Sequence, residues 1–303
     1  MALFWRIFVN NILPAFLVIG AGVLADRTLH IDRKHLARLG LYILAPCLVF
    51  NLISKSTVDA IQFGRMTLYG LVVTVGMCGL GLLVGKLLRW STRQTDGLIL
   101  SVAFINAGNF GLSVVLFTFG QEGVELASVF FVVTSFAMHT LGAFFANRSH
   151  GGVLQALRKA FTLPGPYAFV LALILRSLDI AVPPVIEKPV ALIASAAIPV
   201  LLMMLGLQLS QTHLGRRYKD VAIGVTMRLV VGALVAIGLA PVLGLQGLAR
   251  QVGILEASMP TAINSAMVAI EFDADAEFVT GVIFFSTLLS SITLTVLIAF
   301  LTH

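Results

Sequence analysis

Two short runs of helix-weakening residues interrupt long apolar stretches of the sequence. The first is Asn106-Ala107-Gly108-Asn109-Phe110-Gly111, and the second is Met259-Pro260-Thr261-Ala262-Ile263-Asn264. Asn and Gly weaken a helix through side-chain competition and backbone entropy, and Pro260 has no N–H to donate. Unwound backbone presents N–H and C=O groups to a ligand, and the N-terminus of the half-helix that follows favours an anion. The binding residues expected from these runs are Asn106, Gly108, Asn109, Pro260, Thr261 and Asn264.

Each interruption also has a purely structural interpretation. Asn and Gly allow close helix packing in lipid, and proline kinks are common in membrane helices. The functional interpretation is favoured because Asn106 and Pro260 are 154 residues apart, which matches an internal repeat of the chain described below.

Two ionisable residues lie inside apolar stretches next to these runs. Arg228 is about nine residues into one stretch, and Glu256 precedes Pro260 by four residues. A charged side chain within a membrane span needs a partner or a wet cavity. We expect Arg228 either to pair with Glu256 or to bind a substrate carboxylate, which a guanidinium can contact through two hydrogen bonds. A structural Arg–Glu pair and an arginine that extends to the interface are the alternatives.

Other candidate residues carry weaker signals. Asn51 and Ser54 follow Pro46 and could face the binding region, so Asn51 is included in the expected site. His139 could relay protons near neutral pH, although a hydrogen-bonded structural histidine is the favoured interpretation. The acidic run from Glu271 to Glu277 lacks the spacing of a calcium loop and is expected to be a solvated loop.

The composition indicates a membrane protein. Of the 303 residues, 58% are hydrophobic and 11% are charged, whereas soluble domains carry about 25% charged residues. The mean hydropathy is +1.00. Cys47 and Cys78 form no metal-binding or disulfide pattern, so neither a metal nor a cofactor is expected. The net charge of +6 is interpreted as a topology signal, so no nucleic-acid partner is expected.

A membrane span needs about 20 mostly apolar residues. On this basis we predict an all-α integral membrane protein with ten transmembrane helices. They lie near residues 8–25, 36–54, 66–88, 97–119, 124–146, 164–178, 188–210, 219–242, 247–270 and 278–301. The first apolar run lacks a cleavage site and is expected to be a permanent span.

The distribution of Lys and Arg predicts the orientation. Of the 20 such residues, one, Arg228, falls within a span. One side of the membrane receives six: Arg6, Lys55, Arg65, Arg176, Lys188 and Arg250. The other receives thirteen: Arg27, Arg33, Lys34, Arg38, Lys86, Arg89, Arg93, Arg148, Arg158, Lys159, Arg216, Arg217 and Lys219. Because the richer side is normally cytoplasmic, both termini are expected on the extracytoplasmic side of the plasma membrane.

Matches between the two halves of the chain indicate an internal repeat. Asp26 and Asp179 are separated by 153 residues and directly follow the first and sixth predicted spans; Pro46 and Pro199, also 153 residues apart, lie in the second and seventh. Because each half has five spans, the second half enters the membrane from the opposite side. The predicted organisation is therefore an inverted repeat of residues 1–146 and 164–303 joined by a cytoplasmic linker at 147–163, with broken helices 4 and 9 crossed.

The order of these motifs resembles a bacterial member of the auxin efflux carrier family, within the wider group of bile-acid/sodium symporter-like transporters. The resemblance covers essentially the whole chain. It is carried by Pro14 to Asp26, Leu44-Ala45-Pro46-Cys47-Leu48-Val49-Phe50, Asn106 to Gly111, Ile198-Pro199 with Gly206 and Leu209, and Met259-Pro260-Thr261-Ala262. Plant members have Asn-Pro-Asn in the fourth span and a long central loop, and this chain has neither.

The resemblance implies several properties. These are a scaffold of spans 1, 2, 6 and 7, a transport domain of spans 3–5 and 8–10, and dimerisation through the scaffold. It also implies small organic anions as substrates, either auxin-like monocarboxylates or malonate- and malate-like dicarboxylates. We therefore expect a secondary transporter, with export as the favoured direction and elevator-type alternating access as the mechanism. Sodium coupling, proton coupling and uniport remain open.

Other function classes are less consistent with the sequence. It contains no HExxH or GxSxG motif of the kind that an intramembrane enzyme would use, and no GxxxxGK[ST] motif of a nucleotide-driven pump. A channel usually builds its pore from symmetric subunits, whereas an inverted repeat within one chain favours a carrier. A symporter of another solute remains the main alternative.

Overall fold

The computed structural model describes residues 2–29, 33–142, 145, 164–211, 217–271 and 273–302. The predicted linker at 147–163 lies outside these residues. All regular secondary structure in the described part of the chain is helical, apart from one isolated antiparallel bridge. The chain is therefore an all-α protein, as predicted.

The helices are numbered here in chain order. The first six are α1 (Ala2–Leu29), α2 (His35–Lys55), α3 (Ala60–Leu87), α4 (Thr92–Ala103), α5 (107–119) and α6 (121–142). The remaining helices are α7 (Pro164–Ser177), α8 (Pro184–Ser210), α9 (Tyr218–Val242), α10 (Gly247–Ala257), α11 (Asn264–Glu271) and α12 (Ala276–Thr302).

Seven continuous helical stretches in the described residues are long and apolar enough to span a membrane. These are α1, α2, α3, the stretch Ala107–Gly142 that contains α5 and α6, α8, α9 and α12. The other helices are shorter: α4 has 12 residues, α7 has 14, α10 has 11 and α11 has 8. The membrane-protein class is supported, whereas the count of ten spans stays a prediction.

The stretch Ala107–Gly142 is bent back on itself at Gly120. At 36 residues, a straight helix would be about 54 Å long, well beyond the roughly 30 Å hydrocarbon core. Gly120 has φ 67° and ψ −161°, a conformation that side chains disfavour. A Cβ built on Gly123 would lie 3.0 Å from Val115 Cγ1, although residues eight apart in a straight helix are separated by about 12 Å. Helices α5 and α6 therefore form a hairpin.

Local sequence accounts for several helix starts. The Asp59 carboxylate accepts hydrogen bonds from the N–H groups of Ile61 and Gln62 at 2.9 and 2.8 Å, which caps α3. Ser91 and Gln94 form a reciprocal capping box at the start of α4. These side chains satisfy N–H groups that have no partner within the helix.

Helix α1 packs closely along α8. A Cβ built on Gly206 would lie 2.9 Å from Gly22 Cα, and one on Gly22 would lie 3.0 Å from Met203 Cα. Helix α2 contacts both α7 and α8. Small residues allow this approach of two backbones, which is a common basis of helix association in lipid.

The remaining described helices form a second set of contacts. Helix α3 contacts α4 and the α5–α6 hairpin, while α10 contacts that hairpin, α3, α9 and α12. Helix α12 also packs against α4, α9 and α11. The interrupted segments of the sequence lie within this second set.

Two glycines in α1 test the close packing of α1 on α8. Gly22→Ala places a methyl group against the α8 backbone and should lower the free energy of unfolding by about 1–3 kcal/mol. Gly20→Ala, two residues away, meets no atom within 4 Å and should be neutral or stabilising by up to about 1 kcal/mol through helix propensity. Thermal unfolding in detergent measures both variants. Equal melting temperatures for the two variants would contradict the packing.

Candidate functional site

The two interruptions of the sequence lie against each other and pair through their backbones. Ile105 and Thr261 form an antiparallel bridge. The Asn106 N–H donates to the Pro260 carbonyl at 2.8 Å, and the Ala262 N–H donates to the Phe104 carbonyl at 2.9 Å. We call these segments, 104–106 and 260–262, the paired break. Pairing matters here because backbone polar groups away from water must be satisfied within the protein.

Polar side chains complete the hydrogen bonding around the paired break. Thr261 Oγ1 donates to the Ser101 carbonyl at 2.7 Å, near the end of α4. The Thr261 N–H donates to Ser286 Oγ on α12 at 3.2 Å. Ser258 Oγ donates to the Ile254 carbonyl at 2.7 Å. Thr261 therefore binds α4 and α12 to the break, in addition to the ligand role predicted for it.

Arg228 connects the two helices that end at the break. Its side chain is 0% exposed and lies in a π-helical turn of α9, Met227–Val231. Nη1 donates to the Val102 carbonyl at 2.6 Å, and Nη2 donates to the Ala257 carbonyl. These carbonyls belong to the C-terminal turns of α4 and α10, where helix carbonyls lack intrahelical partners and the helix dipole is negative.

The expected ion pair between Arg228 and Glu256 is not formed. Glu256 is 0% exposed, and neither of its carboxyl oxygens has a hydrogen-bond partner among the described residues. The guanidinium instead donates to carbonyls at the two helix ends, which lack intrahelical donors. The prediction of a structural Arg–Glu pair is therefore wrong, and the alternative that Arg228 extends to the interface is also wrong because its side chain is fully buried.

The Glu256 carboxyl packs against Gly111 in the first turns of α5. A Cβ built on Gly111 would lie 2.7 Å from Glu256 Oε1, so the carboxyl occupies the space that a side chain at position 111 would take. The Gly111 N–H in turn donates to the Asn106 carbonyl at 2.9 Å. Glu256 is thus one helical turn from the paired break.

A small cavity of about 40 Å³ lies where α5 and α11 begin. Its polar lining residues are Asn106, Asn109, Thr134, Ser135 and Asn264. Gly108, Phe104, Ile105, Phe131, Met138, Ala262 and Ile263 complete the lining. The first N–H groups of a helix lack intrahelical partners and carry the positive end of its dipole. The cavity therefore lies at two positive helix ends and has no charged side chain in its lining.

The structure brings most of the predicted site residues together. Asn106, Gly108, Asn109 and Asn264 line the cavity, while Pro260 and Thr261 belong to the paired break beside it. Arg228 and Glu256 lie next to the break but do not line the cavity. Asn106 Nδ2 is buried without a hydrogen-bond partner among the described residues, so it is available to a bound group.

Asn51 is the predicted site residue that lies apart from the others. It lines two separate cavities of about 350 and 390 Å³, the second of which lies between α8, the α5–α6 hairpin and helices α1 and α2. This larger cavity also contains Leu116, Gln121 and Pro199.

The other candidates have local partners. His139 Nδ1 lies 2.8 Å from the Ser135 carbonyl, as expected for a structural histidine. In the acidic run, Asp273 lies 3.4 Å from Arg93, and Asp275 pairs with Arg217. These pairs are partly exposed, which agrees with the solvated-loop interpretation.

One face of α6 lines the cavity but is not among the site residues predicted from the sequence. Phe131, Thr134, Ser135 and Met138 line the cavity at spacings of three, four and seven residues, which place them on one side of a helix. Two adjacent hydroxyl residues on one face of an apolar span were a usable signal. The backbone carbonyls of Val102 and Ala257, which bind Arg228, could not be predicted from the sequence, because every residue has a carbonyl whatever its side chain.

Comparison with known proteins gives consistent matches across the chain. A family described as membrane transport protein matches residues 7–298. An uncharacterized transporter from Methanothermobacter thermautotrophicus is 29% identical over 281 residues, which cover 90% of this chain and 89% of the relative. An uncharacterized transporter from Methanocaldococcus jannaschii is 27% identical over 264 residues, covering 85% and 86% of the two chains.

The structural role of Arg228 can be tested by stability. Arg228→Met keeps an apolar stem but leaves two buried helix-end carbonyls without a donor, so the free energy of unfolding should fall by about 2–5 kcal/mol. Arg65→Met is a matched control, because Arg65 Nη1 also donates to a carbonyl, that of Gly244, at 2.9 Å but at an exposed position. The control should change stability by less than about 0.5 kcal/mol. Unfolding by denaturant in detergent compares them, and equal losses would contradict the proposed role.

Proposed function

The chain belongs to the membrane transport protein family, which confirms the resemblance to auxin efflux carriers, and from this premise we propose that it carries small organic anions by alternating access. As a member of a transporter family, it is a multi-span helical membrane transporter and not an enzyme. The observation that carries the proposal is the cavity at the starts of α5 and α11, where two positive helix ends and three asparagine side chains meet.

The lining of this cavity favours an anion over a cation. The described lining residues include no Asp or Glu, so a cation would find no opposite charge. Backbone N–H groups at helix starts and the amides of Asn106, Asn109 and Asn264 can donate to carboxylate oxygens. Phe104, Phe131 and Met138 provide an apolar surface for the rest of an organic acid. Arg228 donates to Val102 and Ala257, so its predicted contact with the substrate would require these bonds to rearrange.

The size of the cavity supports an occluded conformation. Its volume of about 40 Å³ can hold only a few water molecules, since one water molecule needs about 10–15 Å³ of cavity volume. A carboxylic acid would therefore require movement of the helices around the paired break. The cavity of about 390 Å³ between α1, α2, α8 and the α5–α6 hairpin is a candidate entry route, which would give Asn51 a role in access.

We further propose an architecture of ten spans in two inverted repeats. In this proposal α4 with α5 forms the fourth span, α10 with α11 forms the ninth, and the two cross at the paired break. Helices α1, α2, α7 and α8 would form the scaffold through which two copies associate. The helices on either side of the break would form the transport domain, and its movement against the scaffold would open the site to each side in turn.

The transport proposal can be tested with Asn109→Asp, which adds a negative charge to the cavity with little change in shape. Protein in proteoliposomes should exchange at least one of radiolabelled indole-3-acetate, malonate and malate, with acceleration by unlabelled substrate on the opposite side. Asn109→Asp should weaken apparent affinity by about tenfold or more, because a like charge within a few ångströms repels the anion.

Two controls define this transport experiment. Gln62→Glu introduces the same charge at an exposed position at the start of α3, outside the predicted spans, and should behave as the unmodified protein, while protein-free liposomes measure passive entry of the acids. Ohmic current without counterflow would indicate a channel, and exchange of cations or sugars alone would overturn the assignment to organic anions.

The orientation is a separate proposal: both termini face the extracytoplasmic side of the plasma membrane, as the distribution of Lys and Arg predicts. Alkaline phosphatase fused to the C-terminus should be active, because this enzyme folds only outside the cytoplasm, and a fusion after Arg89 should be inactive. The opposite pattern would reverse the topology.

A further inference from the structure

We propose that Glu256 is a proton-binding residue of this transporter, and that it must hold a proton when an organic anion binds beside the paired break. The inference rests on the proposed transport function and adds the coupling ion to it. The Glu256 carboxyl is buried one helical turn from the paired break, and the proposed anion site does not use it.

The surroundings of Glu256 favour the uncharged carboxyl. The side chain is 0% exposed, and both oxygens lack a hydrogen-bond partner among the described residues. An ionised carboxylate without water, donor or counter-charge is far costlier to bury than a neutral carboxyl. In this conformation the carboxyl is therefore expected to carry its proton.

The elements packed against α10 supply no counter-charge to Glu256. These elements are α3, the α5–α6 hairpin, α9 and α12. Arg228 on α9 donates to two backbone carbonyls, and Tyr69 on α3 donates to the Ala236 carbonyl at 2.9 Å. Neither forms a described ion pair or hydrogen bond with the Glu256 carboxyl. None of the other titratable or charged groups on these elements or on α10 bonds to Glu256 in the described structure. They are Arg65, Cys78, Lys86, Glu122, Glu125, His139, Tyr218, Lys219, Asp220, Arg250 and Glu277.

The position of the carboxyl couples it to the anion. It packs on Gly111 in the first turns of α5, while Gly108 and Asn109 of the same π-helical turn line the cavity. An ionised Glu256 and a bound anion would thus be like charges at one positive helix end. Repulsion between them means that a proton on Glu256 favours the anion, and a bound anion favours the proton.

The transport step follows from this linkage. The anion and the proton bind together and cross together, so the protein acts as a symporter. On release, the O–H bond of the Glu256 carboxyl breaks, the bonding electrons stay on the carboxylate, and the proton passes to water in the compartment that the site then faces. The direction of net transport is set by the combined gradients, so a high internal concentration of the acid drives export.

The test uses Glu256→Gln in proteoliposomes with the three labelled acids named above. Glutamine imitates the neutral carboxyl, so counterflow should stay within about threefold of the unmodified protein. Protein-dependent accumulation driven by a pH gradient should be lost, whereas the unmodified protein should approach the limit for a monocarboxylate, about tenfold per pH unit, faster than protein-free liposomes do. Glu122→Gln, at an exposed position, should retain this accumulation.

Several results would overturn the inference. Unchanged pH-driven accumulation in Glu256→Gln would do so, as would accumulation driven by a sodium gradient and lost in this variant. If none of the acids is exchanged, the transport proposal fails, but proton binding is still measured by infrared spectroscopy on the protein alone.

The infrared measurement also applies if the variant does not fold. At neutral pH the unmodified protein should show a protonated-carboxyl carbonyl band that moves when glutamate is labelled with ¹³C, and a folded Glu256→Gln variant should lack it. Absence of this band in the unmodified protein would overturn the inference without any transport measurement.

Discussion

The backbone pairing of residues 104–106 with 260–262 is the constraint on which the rest of the site depends. Both segments lie outside the helices but inside a helical bundle, where an unpaired N–H or C=O group costs several kcal/mol. The bonds from Asn106 to Pro260 and from Ala262 to Phe104 satisfy groups that an uninterrupted helix would satisfy internally. Each break is therefore stable only because the other lies beside it.

This pairing explains why polar residues accumulate around the break. Two helices end there, and their last carbonyls need donors, which are provided by Arg228, Thr261 and Ser258. Two other helices begin there and direct their positive ends at one cavity. The same interruption thus creates a negative side, occupied by the Arg228 guanidinium, and a positive side that is left open to a ligand. A built-in cation on one side and an open donor surface on the other would provide a physical basis for the proposed selectivity for anions.

The carboxyl of Glu256 differs from the other buried polar groups near the break. Arg228 and Thr261 have backbone acceptors, whereas the Glu256 oxygens have no described partner. Such a group lowers stability when it is ionised, and it lies in the space left by the missing side chain of Gly111. A titratable group without a structural role, next to a helix end that attracts anions, is suited to linking protonation with anion binding.

The sequence by itself determined the membrane class, the family and the positions of both interruptions. These features depend on composition and on local helix-breaking residues such as Gly108 and Pro260, which act wherever the chain is placed. The repeat spacing also predicted that Asn106 and Pro260 belong together. It could not predict the partner of Arg228, because backbone carbonyls are present at every residue and only the tertiary structure decides which of them are orphaned and near.

The tertiary structure also decided the separate locations of Asn51 and Glu256. Asn51 is on α2, and the packing of α2 against α7 and α8 places it in cavities apart from the break. Glu256 and Arg228 carry opposite charges within predicted spans, which favoured an ion pair on the sequence alone. The guanidinium is instead bound by the orphan carbonyls of Val102 and Ala257, because helix ends inside a membrane need donors and no water is there to supply them.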